Sequence, residues 1–421
     1  MKVLIIAAMA AASCLSVGTA TAQDVLIRGA RVHTVTAAGT LENADVLVQS
    51  GRIAAVGSGL EAPAGATVIE ANGRDLTPGL FGGLTQLGLE ELSLEPSTVD
   101  SELEFMAPAW QHHWRPEFDV TPAFNPRSSL VPVARVEGVT WTMSVPSRNH
   151  SLIAGQGAAF TLDGRFDAAL DGSKTLFVNW GSAAIEGSGG SRAAQYMLFD
   201  QAIREVRQPN TAGEGALLLP EGRAALKAYL SGGRVVFEVE RAADIRQVVR
   251  YATKHGMKAV IAGGDEAWLV AAELAAADVP VILNPLNNLP DDFDRLGARL
   301  DNAKLLNDAG VRIAFDHEES HQAGKNRQLA GNAAAHGLPR EAALAAITAI
   351  PADIFGLGAE RGRIEKGKMA DLVLWSGDPL EVTTVADQVW IAGRAIEMRS
   401  RQTELRDRYL ERLKKTAPAA P

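Results

Sequence analysis

Cysteine is almost absent from this chain, whose 421 residues include a single thiol, Cys14. Cys14 lies in an N-terminal stretch that has the pattern of a secretory signal. Lys2 precedes an apolar run, and Ala20-Thr21-Ala22 forms a small-residue cleavage site. We therefore expect cleavage after Ala22 and a periplasmic or secreted mature protein. Because that mature chain contains no cysteine, disulfides and thiol catalysis are excluded. Lipoprotein anchoring at Cys14 is disfavoured, since Ala11 stands where a leucine is usual.

Long apolar runs and clusters of basic residues are also lacking. After the signal, the sequence has no stretch with the length and apolarity of a membrane-spanning helix. The formal net charge is −9, and it becomes −10 when Lys2 leaves with the signal. An acidic chain without a basic run is poorly suited to nucleic acid or to an anionic membrane. We therefore expect a small molecule as substrate or ligand.

Strand-like segments at both ends of the chain enclose a longer middle region. Period-two alternation between Gly and Asn turns predicts a small antiparallel sheet over residues 24–72, and a matching set follows over 370–394. The middle alternates β-rich and helix-like segments, which predicts a parallel sheet with enough units for a barrel. We predict an α/β protein with four parts: a signal peptide (1–22), a β-sandwich built from both ends (23–77 and 363–398), a (β/α)8 TIM-like barrel (78–362) and a charged tail (399–421).

Two stretches match patterns of one enzyme superfamily. The run from Thr77 to Gly88, Thr-Pro-Gly-Leu-Phe-Gly-Gly-Leu-Thr-Gln-Leu-Gly, resembles T-P-G followed by D-x-H-x-H. Residues 362–375, Gly-Arg-Ile-Glu-Lys-Gly-Lys-Met-Ala-Asp-Leu-Val-Leu-Trp, resemble G-x-I-E-x-G-K-x-A-D-L-V-x-W. The chain thus resembles the amidohydrolase superfamily, in its imidazolonepropionase-like branch. The resemblance implies the metal-dependent-hydrolase composite fold and hydrolysis of C–N bonds, in a cyclic amide or a dipeptide-like substrate.

The positions that hold the metal in that family carry other residues here. The H-x-H pair corresponds to Leu84 and Gln86, and the next two histidines correspond to Glu238 and Gly263. Leucine has no lone pair to donate, and a neutral amide is a weak ligand. We therefore expect the usual metal site to be missing. A divalent metal held by carboxylates remains open, with Glu238 as its weak candidate ligand.

Carboxylates remain at the predicted barrel mouth. The family's last-strand aspartate, which binds metal and moves protons in active relatives, falls on Asp316 or Glu318, and the register leaves both open as catalytic residues. Gln86, Glu240 and His317 are the candidate substrate-binding residues at the same rim.

Three functions remain open from the sequence. The first is a hydrolase acting on C–N bonds, with Asp316 or Glu318 activating water. The second is a non-catalytic protein that binds a small molecule, forms a homo-oligomer or pairs with an active amidohydrolase relative. The third is more remote: His317-Glu318-Glu319-Ser320-His321 fits the H-E-x-x-H pattern of zinc metalloproteases. That pattern needs a helix, so that both histidines share one face.

Overall fold

The computed structural model describes residues 24–103, 114–147, 151–209, 213, 215–317 and 319–416. The expected signal peptide, with Cys14 and the cleavage site after Ala22, lies outside these residues. Glu318 also lies outside them, as does the end of the charged tail.

The described residues form sixteen strands and ten α-helices. The strands are β1 Val25–His33, β2 Thr40–Gln49, β3 Arg52–Gly57, β4 Thr67–Glu70, β5 Asp75–Pro78, β6 Leu80–Thr85, β7 Val139–Ser144, β8 Ile153–Thr161, β9 Thr175–Asn179, β10 Arg234–Val239, β11 Lys258–Gly263, β12 Val281–Leu283, β13 Ile313–Phe315, β14 Leu372–Trp375, β15 Ala386–Ile391 and β16 Arg394–Ala395. The helices are α1 Leu130–Arg135, α2 Arg192–Arg207, α3 Pro220–Tyr229, α4 Ala242–His255, α5 Ala271–Ala276, α6 Asn302–Asp308, α7 Asn326–Ala335, α8 Arg340–Ala345, α9 Ala349–Ile354 and α10 Arg401–Thr416. Among the described helices, none combines the length and the apolar character needed to cross a bilayer.

One sheet joins the two ends of the chain. Its order is β16-β15-β14-β5-β1-β2-β3, and β4 pairs with β1. Because β1 runs parallel to β4 and β5 but antiparallel to β2, the sheet is mixed rather than purely antiparallel as expected. The C-terminal strand β14 pairs with β5, and the indole Nε1 of Trp375 donates a hydrogen bond of 2.9 Å to Thr77 Oγ1. The two ends of the chain thus share one sheet.

The second sheet is the barrel, with β6 to β13 side by side in chain order. Strands β9 to β13 are all parallel, and β6 is parallel to β7. This confirms the predicted α/β barrel, with one difference: β8 runs antiparallel to both β7 and β9. The connection between β7 and β8, residues 145–152, is too short for the helical crossover that a parallel neighbour requires. β8 therefore pairs antiparallel with β7, the strand before it.

Apolar side chains fill the interior of the barrel. Phe81 and Trp141 pack with ring centroids 4.6 Å apart, and Phe81 and Phe355 with centroids 6.0 Å apart. Leu84 and Met143 belong to the same buried cluster, closer to the carboxyl ends of their strands. The barrel is consequently a packed core below its mouth, as is usual for this architecture.

Candidate functional site

The first predicted metal position lies in the apolar core. Leu84, near the end of β6, is 1% exposed and packs in the cluster that includes Met143 and Phe177. Gln86, two residues further on, is half-buried, and its backbone N–H donates to Ser320 Oγ at 3.1 Å. On this side of the mouth the chain offers a hydrocarbon side chain where the family has a metal ligand.

A small cavity lies beside Leu84 at the carboxyl ends of the strands. Its lining includes Val145, Phe177, Asn179 and Glu238. Its volume is about 10 Å³, roughly the space that one water molecule needs. Glu238 points into the barrel because it shares the inward face of β10 with Val236. The structure thus brings Leu84 and Glu238 together. The cavity that they line with the other described residues is too small for a substrate.

The space next to Gly263, the position of the last family histidine, is occupied by the Glu240 side chain. Gly263 ends β11 with φ +81°, and a Cβ placed there would lie 2.2 Å from Glu240 Oε1. Glu240 directly follows the last residue of β10, Val239. While the Glu240 carboxylate occupies this space, a histidine cannot stand at position 263.

An arginine joins the carboxylates that follow β10 and β11. Arg295 Nη2 donates to Glu240 Oε1 at 3.1 Å, and Arg295 Nη1 lies 3.6 Å from Asp265 Oδ2. The Asp265 side chain is 2% exposed, and the backbone N–H of Asp265 donates to Glu240 Oε2 at 3.0 Å. Asn287 donates from its side-chain amide to Asp265 Oδ1 at 3.1 Å. The three charged groups form one hydrogen-bonded unit over the ends of two adjacent strands.

Glu240 has an unusual acidity in this unit. Burial raises the pKa of its carboxyl well above the usual range, and the nearby charges of Asp265 and Glu238 raise it further, while Arg295 opposes them. Of these carboxylates, Glu240 and Asp265 contact the Arg295 guanidinium. Arg295 therefore offsets only part of the negative charge around Glu240, and the pKa of Glu240 stays raised.

The segment that carries Arg295 is held on both sides. Asp294 accepts hydrogen bonds from Ser182 Oγ at 2.6 Å and from the Arg192 guanidinium. Although burial raises the pKa of Asp294, these hydrogen bonds outweigh it and the net pKa is lowered. On the other side, the N–H of Gly297 donates to Glu266 Oε1 at 2.9 Å. The segment between β12 and α6 is therefore fixed over the ends of β9 to β11.

Asp316 closes the barrel between its first and last strands. Its Oδ1 accepts a hydrogen bond of 2.9 Å from the backbone N–H of Leu84, and a Cβ on Gly83 would lie 2.4 Å from the same oxygen. Asn326 donates to the carbonyl oxygens of Phe81 at 3.2 Å and Phe315 at 3.4 Å. The candidate catalytic carboxylate is buried, and it has a structural task at this seam.

The metalloprotease alternative lacks its helix. His317 lies in the loop after β13 and is half-buried, whereas His321 lies in a short 3-10 helix, Ser320–Lys325. The His321 side chain is largely exposed and lies 3.2 Å from Glu319 Oε2. Since the two histidines do not share an α-helix, they lack the geometry of the zinc motif. Glu318, the other candidate catalytic residue, lies outside the described residues.

The site does not fit the metal that the family implies. Leu84 supplies no donor atom, and Arg295 places a positive charge against Glu240 and Asp265. Across the described ranges, no three His, Cys, Asp or Glu side chains are grouped so that they could hold a metal ion. Asp265, Arg295 and Asn326 were not among the residues predicted from the sequence, and no motif marks them.

A larger cavity, of about 160 Å³, lies away from the barrel mouth. It is lined by β1, β2 and the start of α8, and His33 Nε2 in its wall is 2.6 Å from Asp75 Oδ1. Charged side chains in its wall pair with each other: Arg31 Nη1 lies 3.7 Å from Asp75 Oδ1, and Arg340 pairs with Asp378. We assign the functional site to the barrel mouth rather than to this cavity, because the carboxyl ends of the barrel strands converge there.

The chain matches one family model and one curated protein over parts of its length. The model of the amidohydrolase family matches residues 321–396. The curated protein "Amidohydrolase tasK" of Hapsidospora irregularis is 50% identical over 60 residues, which cover 14% of this chain and 6% of that protein. Most of that relative's length thus lies outside the match.

Solved structures extend the likeness over the fold. An amidohydrolase from Thermotoga maritima MSB8 is 25% identical with a TM-score of 0.78, and the alignment covers 89% of this chain and 100% of that one. N-isopropylammelide isopropylaminohydrolase from Burkholderia multivorans ATCC 17616 is 15% identical with a TM-score of 0.52, covering 89% and 98%. The second likeness shows the fold alone. In fold and in part of its sequence, the chain is thus similar to members of the amidohydrolase superfamily.

Proposed function

We propose that this protein is a periplasmic amidohydrolase-superfamily member that binds a small C–N-bonded molecule without metal-dependent hydrolysis. The family match supports C–N bonds as the chemical class, in a cyclic amide or a dipeptide-like compound. Gln86 and His317, both half-buried at the rim, are the proposed contacts with this ligand.

The observation that carries the proposal is the packing of Leu84. A metal ion needs lone pairs directed at it, and here the position is 1% exposed within a hydrocarbon cluster. Without a metal, neither the lowered pKa of bound water nor the polarisation of a carbonyl is supplied. The remaining function is then the binding of a small molecule. The protein binds it alone, as part of an oligomer, or in a pair with an active relative.

The test combines metal analysis with a ligand screen. We expect mature protein purified without chelators to contain far less than one metal ion per chain by elemental mass spectrometry. We expect no amide hydrolysis after addition of Zn²⁺ or Mn²⁺, and a rise in Tm with one class of cyclic amides or dipeptides. Stoichiometric metal, with turnover that a chelator abolishes, would overturn the proposal.

A second candidate is hydrolysis without a metal. It is favoured by Asp316, a carboxylate that directly follows the last barrel strand and could activate water. Turnover that persists in chelator and disappears in Asp316→Asn would establish it. Glu319→Gln is the matched control, because Glu319 is an exposed carboxylate in the same loop. Equal loss in both variants would rule Asp316 out as the base.

A further inference from the structure

The two carboxylates at the mouth have a regular relation to the family's histidine positions. Glu240 lies two residues after Glu238, and Asp265 lies two residues after Gly263. Both carboxylates follow the ends of neighbouring barrel strands, β10 and β11. The backbone N–H of Asp265 donates to Glu240 Oε2, which brings the two carboxylates together. Negative charge is thus concentrated just above the level where the family binds its cation.

Such a concentration needs a counter-charge. The Glu240 and Asp265 side chains are 12% and 2% exposed, so water screens their repulsion only weakly. The Arg295 guanidinium contacts both through different nitrogens, at 3.1 Å and 3.6 Å. Its Nε also lies 3.6 Å from Asp292 Oδ2 at the outer edge. A planar guanidinium suits this bridging better than a point charge does.

The position of Arg295 is fixed by its neighbours in sequence. Asp294 is bonded to Ser182 and Arg192, and Gly297 is bonded to Glu266. These contacts connect the segment to the residues that follow two barrel strands, β9 and β11, and to the start of α2. Arg295 is therefore held in place, in contrast to a flexible surface arginine whose ion pair contributes little.

From this arrangement we propose that Arg295 is the built-in cation of the barrel mouth. Its guanidinium balances Glu240 and Asp265, and the fold consequently needs no metal ion there. The inference rests on the proposed metal-free function. It assigns Arg295 as a positioning residue. The charge balance that Arg295 provides explains why the barrel stays folded without the ion that the family uses.

The test is a double-mutant cycle on stability. Arg295→Gln removes the charge, and we expect it to lower Tm by several degrees, because two buried carboxylates lose their shared partner. In the Glu240→Gln background, we expect the same change to cost much less, since one of the repelling charges is gone. Arg299→Gln is the control: Arg299 is on the same segment but pairs with Asp301 and stacks on Trp268. Its effect should be the same in both backgrounds.

A second readout separates charge balance from packing. Millimolar Ca²⁺ or Mn²⁺ should restore part of the lost Tm in Arg295→Gln, because oxygen ligands suit these ions. The ions should leave wild type and Arg299→Gln unchanged. If Arg295→Gln does not fold, Arg295→Lys replaces it. Because lysine keeps the charge but not the fork, it should give a smaller loss of Tm and a weaker response to the ions.

The outcomes distinguish the two proposals. Metal-free wild type together with equal costs in both backgrounds and no ion response would overturn the role of Arg295 and leave the proposed function intact. Stoichiometric metal in wild type would overturn the proposed function first. Coupling between positions 240 and 295, with ion rescue limited to the Arg295 variants, is the result we expect.

Discussion

The two sides of the barrel mouth differ in the side chains that lie at or beside the positions of the family's metal ligands. On the β6–β7 side, Leu84 and Met143 extend the apolar core up to the rim. On the β10–β12 side, Glu240, Asp265 and Arg295 form a compact ionic unit. An apolar replacement gains stability from burial, which does not depend on protonation. An ionic replacement depends on protonation and on a matched counter-charge. The two sides should therefore respond differently to mutation and to pH.

The apolar side should give the largest effect. We expect Leu84→Ala to cost about 2–5 kcal/mol in free energy of unfolding, because it leaves a cavity in a packed core. The loss should be the same at mildly acidic and mildly alkaline pH, as measured by denaturant unfolding. Leu92→Ala, at a leucine that is 66% exposed, is the control and should change stability by less than about 0.5 kcal/mol. A loss at position 84 that varied with pH would remove the contrast between the two sides.

A substitution at Gly263 tests the packing of the Glu240 carboxylate on the ionic side. Gly263→Ala should cost about 1–3 kcal/mol, from positive φ and from displacement of the Glu240 carboxylate. Gly232→Ala controls for backbone strain alone, because Gly232 has φ +92° and nothing within 4 Å of a Cβ. We expect the excess cost at 263 to shrink when Glu240 is also changed to alanine. Equal costs at 263 and 232 would show that the contact with Glu240 is unimportant.

The smallest effect concerns the pH dependence of the ionic side. A raised pKa in the folded state means that, at a given pH above the ordinary carboxyl value of about 4.3, the native protein retains more protons than the unfolded chain. The contribution of Glu240 is therefore fully present below that value and is lost as the pH rises through the raised pKa. Glu240→Gln should make the fall in stability with rising pH shallower, as measured by Tm across a buffer series. Glu273→Gln, at an exposed carboxylate, should not change the slope. Parallel curves for wild type and Glu240→Gln would contradict the assignment.

The parts of the fold that the sequence predicted correctly are those where a short motif has a local packing reason. Asp371, in the G-x-I-E…A-D-L-V-x-W run, accepts hydrogen bonds from Arg361 at 2.6 Å and from the N–H of Ala392 at 2.8 Å. Trp375, at the end of the same run, bonds to Thr77 in the other motif. These residues determine how the chain returns to the first sheet, so the pattern indicates the fold.

The site was less predictable because its contacts join distant parts of the chain. The resemblance implies Asp316 or Glu318 as the catalytic residue, but the bond from Leu84 to Asp316 spans 232 residues and has no sequence signature. Arg295 lies in the segment between β12 and α6, which has no periodicity. Recognising its role requires knowing that Glu240 and Asp265 converge. The reversed direction of β8 was missed because a barrel was expected to repeat one unit.

The sheet built from both ends of the chain also has a consequence for the order of folding. The bond between Thr77 and Trp375 spans 298 residues, so β5 keeps an unpaired edge until almost the whole chain has been synthesised. Contacts this far apart in sequence are slow to form, and an open strand edge in the meantime is a site for association with other chains. Yield on refolding should therefore depend on protein concentration more than native stability does, and a chain truncated before β14 should aggregate rather than remain as a separate barrel.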